Sequence, residues 1–290
     1  MEVITYIQTI ASTPLDVVVL ALTNLGSEQA YIVMLVVTYL GLSPRVGQRL
    51  GAALLASFYF NQTAKAFFDT PRPFVLEPSL LRSEAAGATA LGPAFPSGHA
   101  QGAATFWLLA AYYVRKAWFW VLALTLVTAI ALSRIYLGVH FPVDIVGGVL
   151  LALGVILAAL LAFRLSRGLV GSPRWQLLIT GVGAPLLIHW RYPTADSALI
   201  LGALAAFITG PVLLPYRLPR KAWQRGLVAG LGVLLVFAGL VGSSLALPEA
   251  VKRSVLGGFL RYLLLGYIGT LFTPWLARRF GFAPHDAAQI

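Results

Sequence analysis

The chain has 290 residues, 59% of them hydrophobic and 11% charged, with a net charge of +11 and no cysteine. Soluble domains carry about 25% charged residues, so a water-soluble globule is excluded, and the missing thiols exclude a disulfide framework and thiolate metal sites. The basic residues fall in short clusters between apolar runs, which argues against nucleic acid as a partner and for orientation in a membrane, with membrane lipids as neighbours.

The first element, 3–25, is apolar but broken by Pro14, Asp16 and Asn24. It predicts an interfacial or re-entrant helix, with a full span as the alternative. The stretch Met1 to Thr13 has no basic n-region and contains Glu2, so no cleavable signal peptide is expected. Apolar stretches follow at 28–44, 46–68, 97–114, 117–137, 142–165, 175–190, 196–216, 226–247 and 254–277. Each reads as a membrane helix that satisfies its own backbone. The expected fold is therefore all-α: a polytopic transmembrane helical bundle of about nine spans. A core at 1–165 is joined through a connecting loop at 166–174 to additional C-terminal helices and a short tail at 175–290.

Nine spans divide the basic loop residues unequally. One side holds Arg45, Arg49, Arg115, Lys116, Arg164, Arg167, Arg174, Arg217, Arg220, Lys221, Arg225, Arg278 and Arg279. The other holds Lys65, Arg72, Arg82, Arg134, Arg191, Lys252 and Arg253. The richer side is expected to be cytoplasmic, which puts the second set outside, as in a multi-pass protein of a bacterial inner membrane. The long connection from Asp69 to Pro96 lies on that outer side and has the length of a lid or binding loop.

Three polar clusters interrupt the apolar background, each at a helix end and all on the outer side: K-A-F-F-D-T-P-R-P at Lys65–Pro73, P-S-G-H at Pro96–His99, and S-R-I-Y-L-G-V-H-F-P-V-D at Ser133–Asp144. Ionisable groups are costly in such places and usually have partners or a task. Taken singly, Lys65, Arg72 and Arg134 read equally well as snorkelling cations. Together they repel one another unless an anion joins them, and a phosphoryl group offers three oxygens for charge-assisted hydrogen bonds. Ser97 and Gly98 open a helix after Pro96, where free N–H groups favour an anion. His140 and Asp144 stand one helical turn apart, so the carboxylate can fix the imidazole tautomer and leave the other nitrogen to attack. His99, in a different loop, is placed to protonate a leaving oxygen. His189 and His285 have no companion motif and read as ordinary polar residues, with head-group recognition as a lesser option for His189.

Two other chemistries fit less well. A serine hydrolase built on Ser97, His99 and Asp144 lacks the G-x-S-x-G elbow. A metal phosphatase needs more carboxylates and histidines than Asp69 and Asp144 supply. No metal and no cofactor are therefore expected.

The three motifs, in this order and spacing, resemble the three-part signature of the type 2 phosphatidic acid phosphatase (PAP2) superfamily over roughly residues 20–165. The resemblance implies a helical-bundle core and metal-free dephosphorylation. It implies His140 as nucleophile, Asp144 as its partner and His99 as acid, with Lys65, Arg72, Ser97, Gly98 and Arg134 binding phosphate. The four helices after residue 175 exceed a minimal core. The expected activity is hydrolysis of a lipid phosphate or diphosphate, of the undecaprenyl diphosphate, phosphatidate or phosphatidylglycerol phosphate type, through a phosphohistidine. A phosphotransferase using the same intermediate and a hydrolase of soluble sugar phosphates are the alternatives. A lipid-translocating scaffold is disfavoured because no motif position is lost, and a haloperoxidase because the chain is so lipophilic. No oligomeric state is implied.

Overall fold

A computed structural model describes residues 1–169 and 195–284. Among the described residues every regular element is a helix. The order is α1 (Glu2–Gln8), α2 (Thr13–Asn24), α3 (Glu28–Val37), α4 (Pro44–Phe68), α5 (Pro73–Leu76), α6 (Glu84–Ala88), α7 (Gly98–Ala103), α8 (Leu109–Val114), α9 (Ala117–Tyr136) and α10 (Pro142–Leu169). Then come α11 (Ala195–Leu213), α12 (Ala222–Ala246), α13 (Glu249–Lys252), α14 (Val255–Tyr267) and α15 (Thr273–Arg279). Single π-helical turns continue α3 over Thr38–Leu42, join α7 to α8 over Ala104–Leu108, and join α14 to α15 over Ile268–Phe272.

Eight of the nine expected spans coincide with these helices, and the ninth, 175–190, lies outside the described residues, as do Arg174, His189, Arg191 and His285. Among the described residues, five helical stretches are long and apolar enough to cross a membrane, Ala117–Tyr136, Pro142–Arg164, Asp196–Leu213, Ala222–Ala246 and Val255–Arg279, and the helices at 28–44, 46–68 and 97–114 fall short of that measure. The pair α1–α2 is bent by 118° at its break and makes a sixth only if counted as one span. At 1.5 Å per residue the 12 residues of α2 reach only about 18 Å, short of a ~30 Å hydrocarbon core. Proline explains several boundaries: Pro44 and Pro142 open α4 and α10 at positions where no N–H is needed. The outer surface of α10 is apolar, with Leu150, Leu157 and Leu161 all more than half exposed. That is the signature of lipid contact in a multi-pass membrane protein.

The described chain packs as two compact units, one of Met1–Tyr31 and Phe60–Leu160, the other of Ile32–Tyr59 and Leu161–Ile290. In the first, Ala103 and Ala104 meet Val127, Ile130 and Ala152, small side chains that let helices approach closely. Two further apolar seams, Val19–Ala86–Ala90–Tyr136–Leu137–Val139 and Ile4–Leu80–Ile135, fasten the N-terminal helices and the 69–97 connection to α9. In the second unit, Val36, Tyr39 and Leu40 pack with Val228, Ala229 and Val236, while Ala198, Leu201 and Ala205 of α11 pack against Tyr59 and Phe259.

Candidate active site

All three motifs fall in the first unit. Lys65 stands in the last turn of α4, which ends at Phe68. Asp69 follows with φ 42°, a left-handed conformation that Asp tolerates better than most residues. Arg72 is extended before Pro73, as a residue preceding proline prefers. Both cations are buried. Their hydrogen bonds go to main-chain carbonyls of the 69–97 connection: Lys65 Nζ to Pro93 O and to Ala94 O (3.5 Å), Arg72 Nε to Gly92 O (2.9 Å) and Arg72 Nη2 to Leu91 O (3.2 Å). Carbonyl oxygens thus occupy positions on both cations that anionic oxygens would take.

The turn between α9 and α10 carries the imidazole. Gly138, at φ 73°, makes the turn, and a side chain there would collide with the Leu80 main chain. The N–H groups of Val139 and His140 both point back to Arg134 O (3.2 and 3.3 Å), so the turn closes on the residue that bears the third cation. Asp144 sits in the first turn of α10, and its Oδ2 accepts from the Phe141 N–H at 2.8 Å. This reciprocal cap satisfies a helix-end donor and fixes the carboxylate. The same Oδ2 lies 3.2 Å from His140 Nδ1.

Arg72 Nη1 lies 3.1 Å from His140 Nε2 and donates to Val139 O at 3.0 Å. A guanidinium has no acceptor, so Nε2 must accept. In the neutral ring the proton is then on Nδ1, donated to Asp144. Burial pushes the His140 pKa well below its usual 6.5, and the charges of Arg72, Arg134, Lys65 and His99 push the same way. His140 is therefore a neutral imidazole with its lone pair on Nε2, the form a nucleophile requires. Burial also draws the Arg72 guanidinium down to about 10, against the opposing pull of Asp144.

Ser97 caps α7, its Oγ accepting from Ala100 N at 3.5 Å. Its own N–H donates to the Asp144 carbonyl at 2.9 Å, which ties the start of α7 to the start of α10. That approach needs Gly148, where a methyl group would come within 2.6 Å of Ser97 O. Gly98 opens α7 beside Asn61, and half-buried His99 follows, its ring edge against Gly26. Fully buried Arg134 donates to Thr23 Oγ1 (2.9 Å) and Thr89 Oγ1 (3.4 Å), and its Nε has no hydrogen-bond partner among the described residues. The structure thus gathers Lys65, Arg72, Arg134, His140 and Asp144 in one cluster, with Ser97 bonded to its edge.

Four side chains to which the sequence reading assigns no role also stand at the site. Asn61 donates to Gln101 Oε1 (2.7 Å) and to Pro96 O (3.2 Å), holding the P-S-G-H turn from α4. Thr23 and Thr89 hold Arg134. Gln101 lies two positions beyond the histidine of its motif, and Asn61 one turn before Lys65, so proximity to the motifs is the available signal for both.

Residues 47–167 match the sequence model of the PAP2 superfamily. Over 179 residues the chain is 32% identical to sphingosine-1-phosphate phosphatase 2 of Mus musculus, covering 59% of this chain and 49% of that protein. It is 35% identical over 104 residues to the putative undecaprenyl-diphosphatase YbjG of Escherichia coli (strain K12), covering 35% of this chain and 49% of that protein. The chain thus spans about half the length of these curated relatives. Among solved structures, LpxE of Aquifex aeolicus is similar with 24% identity and a TM-score of 0.48, covering 55% of this chain and 93% of that one.

Proposed function

We propose, from the match of residues 47–167 to the PAP2 superfamily model together with the site's geometry, that the chain is an integral-membrane phosphatase that hydrolyses a lipid phosphate or lipid diphosphate through a phosphohistidine on His140. The observation that carries this reading is the imidazole held between Asp144 and Arg72, with its neutral Nε2 lone pair turned toward the cations.

In the reaction, non-bridging phosphate oxygens replace the carbonyls on Lys65 and Arg72 and join Arg134 and the N–H groups at the start of α7. Nε2 attacks phosphorus, the bond to the leaving oxygen breaks, and His99, protonated once the anionic substrate offsets the surrounding cations, gives that oxygen its proton. The ring becomes cationic, and the Asp144 carboxylate on Nδ1–H stabilises it. A water then attacks phosphorus and yields a proton to His99. The P–N bond breaks, phosphate departs, and His140 is neutral again. Three cations supply the electrostatic stabilisation that metal ions supply elsewhere, so the reaction is metal-independent.

The substrate is read from what surrounds the charges. An open groove of about 410 Å³ is lined by Phe68, Thr70, Pro71, Phe95, Phe141 and Val143, with Asp144 on its wall. Its apolar lining suits a hydrocarbon chain carried behind a phosphate, and the activities for which the relatives are named, on sphingosine 1-phosphate and undecaprenyl diphosphate, agree with a lipid. In this reading catalysis lies within residues 1–165, the bundle has nine spans, and the site opens on the extracytoplasmic face of a bacterial inner membrane, as the excess of basic residues in the opposite loops favours.

The test is a phosphate-release panel over lipid monophosphates, lipid diphosphates and soluble sugar phosphates, run in one detergent with EDTA, beside His140→Ala. Release from a lipid substrate by the wild type, an acid-labile phosphoenzyme, and neither in the variant are expected. Turnover retained by His140→Ala ends the mechanism. Faster turnover of the sugar phosphates ends the lipid assignment.

A further inference from the structure

The N-terminal pair α1–α2 lies wholly outside the stretch that matches the family, 47–167, yet it touches the site at more points than packing alone demands. We propose that this pair is a working part of the phosphate site, with Thr23 the positioning residue for Arg134 and Asp16 the anchor of the loop that supplies Thr89. The inference rests on the reading of the cationic cluster as an anion site.

Arg134 is fully buried, and the side chains it donates to are two hydroxyls. A carboxylate in their place would neutralise the guanidinium and compete with an incoming phosphate. A threonine oxygen accepts a hydrogen bond and sets the plane of the guanidinium while leaving its charge for the ligand. Thr23, itself buried in the last turn of α2, makes the shorter of the two bonds. The other comes from Thr89, on an exposed part of the 69–97 connection, and that part is tethered back to the same helix pair.

The tether has four polar ties. Arg82 Nη2 donates to Asp16 Oδ2 at 2.8 Å, and Tyr136 Oη donates to Asp16 Oδ1 at 2.6 Å, joining α2, the connection and the end of α9. Gln8 Nε2 donates to both Leu80 O and Tyr136 O at 2.8 Å, joining α1 to the same two places. Tyr136 is two residues from Arg134. Gly26, just past α2, closes the arrangement: a methyl group there would come within 3.2 Å of the His99 ring. The helix pair thus holds one arginine directly, steadies that arginine's second hydroxyl through the loop, and walls one edge of the histidine.

The test uses the full chain in detergent with inorganic phosphate as the probe, read as the phosphate concentration that raises Tm, together with KM and kcat. Losing a hydrogen bond to a charged group predicts that Thr23→Val weakens phosphate binding and raises KM by on the order of tenfold. The same change should also lower Tm without phosphate, because a buried guanidinium loses an acceptor, so the phosphate effect is read as the shift from each variant's own phosphate-free Tm. Thr23→Ser, which keeps the hydroxyl, should return both constants to within about twofold of wild type, and Asp16→Asn should weaken phosphate by about threefold. In an Arg134→Ala background Thr23→Val should add nothing, because the hydroxyl acts only through that guanidinium. Should Thr23→Val fail to assemble, Thr23→Ala carries the same comparison. Wild-type phosphate affinity in Thr23→Val, no rescue by serine, or full multiplication of the two effects in the double variant overturns the inference. If Arg134→Ala keeps wild-type phosphate affinity, the anion-site reading itself is wrong and this inference falls with it. If Arg134→Ala loses phosphate while Thr23→Val does not, only the role of the helix pair is lost.

Discussion

The two compact units bury different kinds of polar group. In the first, Lys65, Arg72, Arg134, His140 and Asp144 are all at least nine-tenths buried. In the second, the buried polar side chains among the described residues are Ser57, Ser197, Thr209, Thr270 and Thr273, hydroxyls without exception. Three of those hydroxyls bond a carbonyl four or five residues back in their own helical run: Thr209 to Ala205 O, Thr270 to Gly266 O and Thr273 to Ile268 O. Such bonds satisfy a polar atom locally and ask nothing of the rest of the fold. A buried charge does ask something, since its desolvation cost must be met by partners or by function. The contrast teaches that the first unit is organised around a cluster of buried charges, while the second, apart from the buried guanidinium nitrogens of Arg278, is organised around helix packing.

Substitutions sharpen that contrast, beginning with the nucleophile. His140→Ala is expected to lower phosphate release by more than about 10³-fold, because no second group replaces the lost P–N intermediate. Asp144→Asn keeps the shape but removes the charge that stabilises the cationic ring, and a loss of about 10²–10³-fold in kcat is expected. Arg72→Lys keeps the charge but loses the fork that reaches Gly92, Leu91, Val139 and His140 together, for a loss of about 10²-fold in kcat/KM. Near-wild-type turnover in any of the three would place that residue with the hydroxyls of the second unit.

A pH dependence follows from the depressed pKa of His140. Its folded value lies below the ordinary 6.5, so on acidification the unfolded chain takes up a proton before the folded chain does. Stability is therefore present above about pH 6.5 and declines as pH falls below it, until the folded imidazole is itself protonated. Melting curves of the phosphate-free protein between pH 7.5 and 5 should show this decline, and His140→Asn should make it shallower. The His140 limb of a kcat/KM profile should likewise lie below pH 6.5. A limb above that value would mean that the imidazole is stabilised in its protonated form.

The motifs made the cluster legible in the sequence, since Lys65 to Arg72 and His140 to Asp144 are local spacings with a geometric consequence. Thr23 and Arg134 are 111 positions apart, and a lone threonine in an apolar segment is ordinary, so nothing in the spacing announced that contact. The break at Pro14 was visible, but not that the two short helices on either side would turn by 118°. The main-chain carbonyls of residues 91–94 were equally silent, because every residue has one and only the fold of the connection aims them at Lys65 and Arg72. What the sequence withheld is long-range backbone placement; what it supplied is side-chain chemistry at helix ends.

The smallest expected effect is the one that tests the contrast from its quiet side. Thr209 of α11 bonds the Ala205 carbonyl at 2.7 Å and the Tyr267 hydroxyl of α14 at 2.8 Å. Thr209→Val removes both bonds while keeping the branched shape that packs the two helices. The Ala205 carbonyl retains its helical N–H partner, and the partly exposed Tyr267 hydroxyl can turn elsewhere. Interhelical hydrogen bonds in membranes contribute about 0.6 kcal/mol on average, so the cost should stay below about 1 kcal/mol. A loss of that size lowers Tm by about 2–4 °C in a protein of this class, and kcat and KM should stay within about twofold of wild type, a margin of roughly 0.4 kcal/mol. A loss of turnover comparable with that of Arg72→Lys would mean that a neutral hydroxyl in the second unit is coupled to the charges of the first, and the division by kind of polar group would then no longer separate the working part of the chain from the rest.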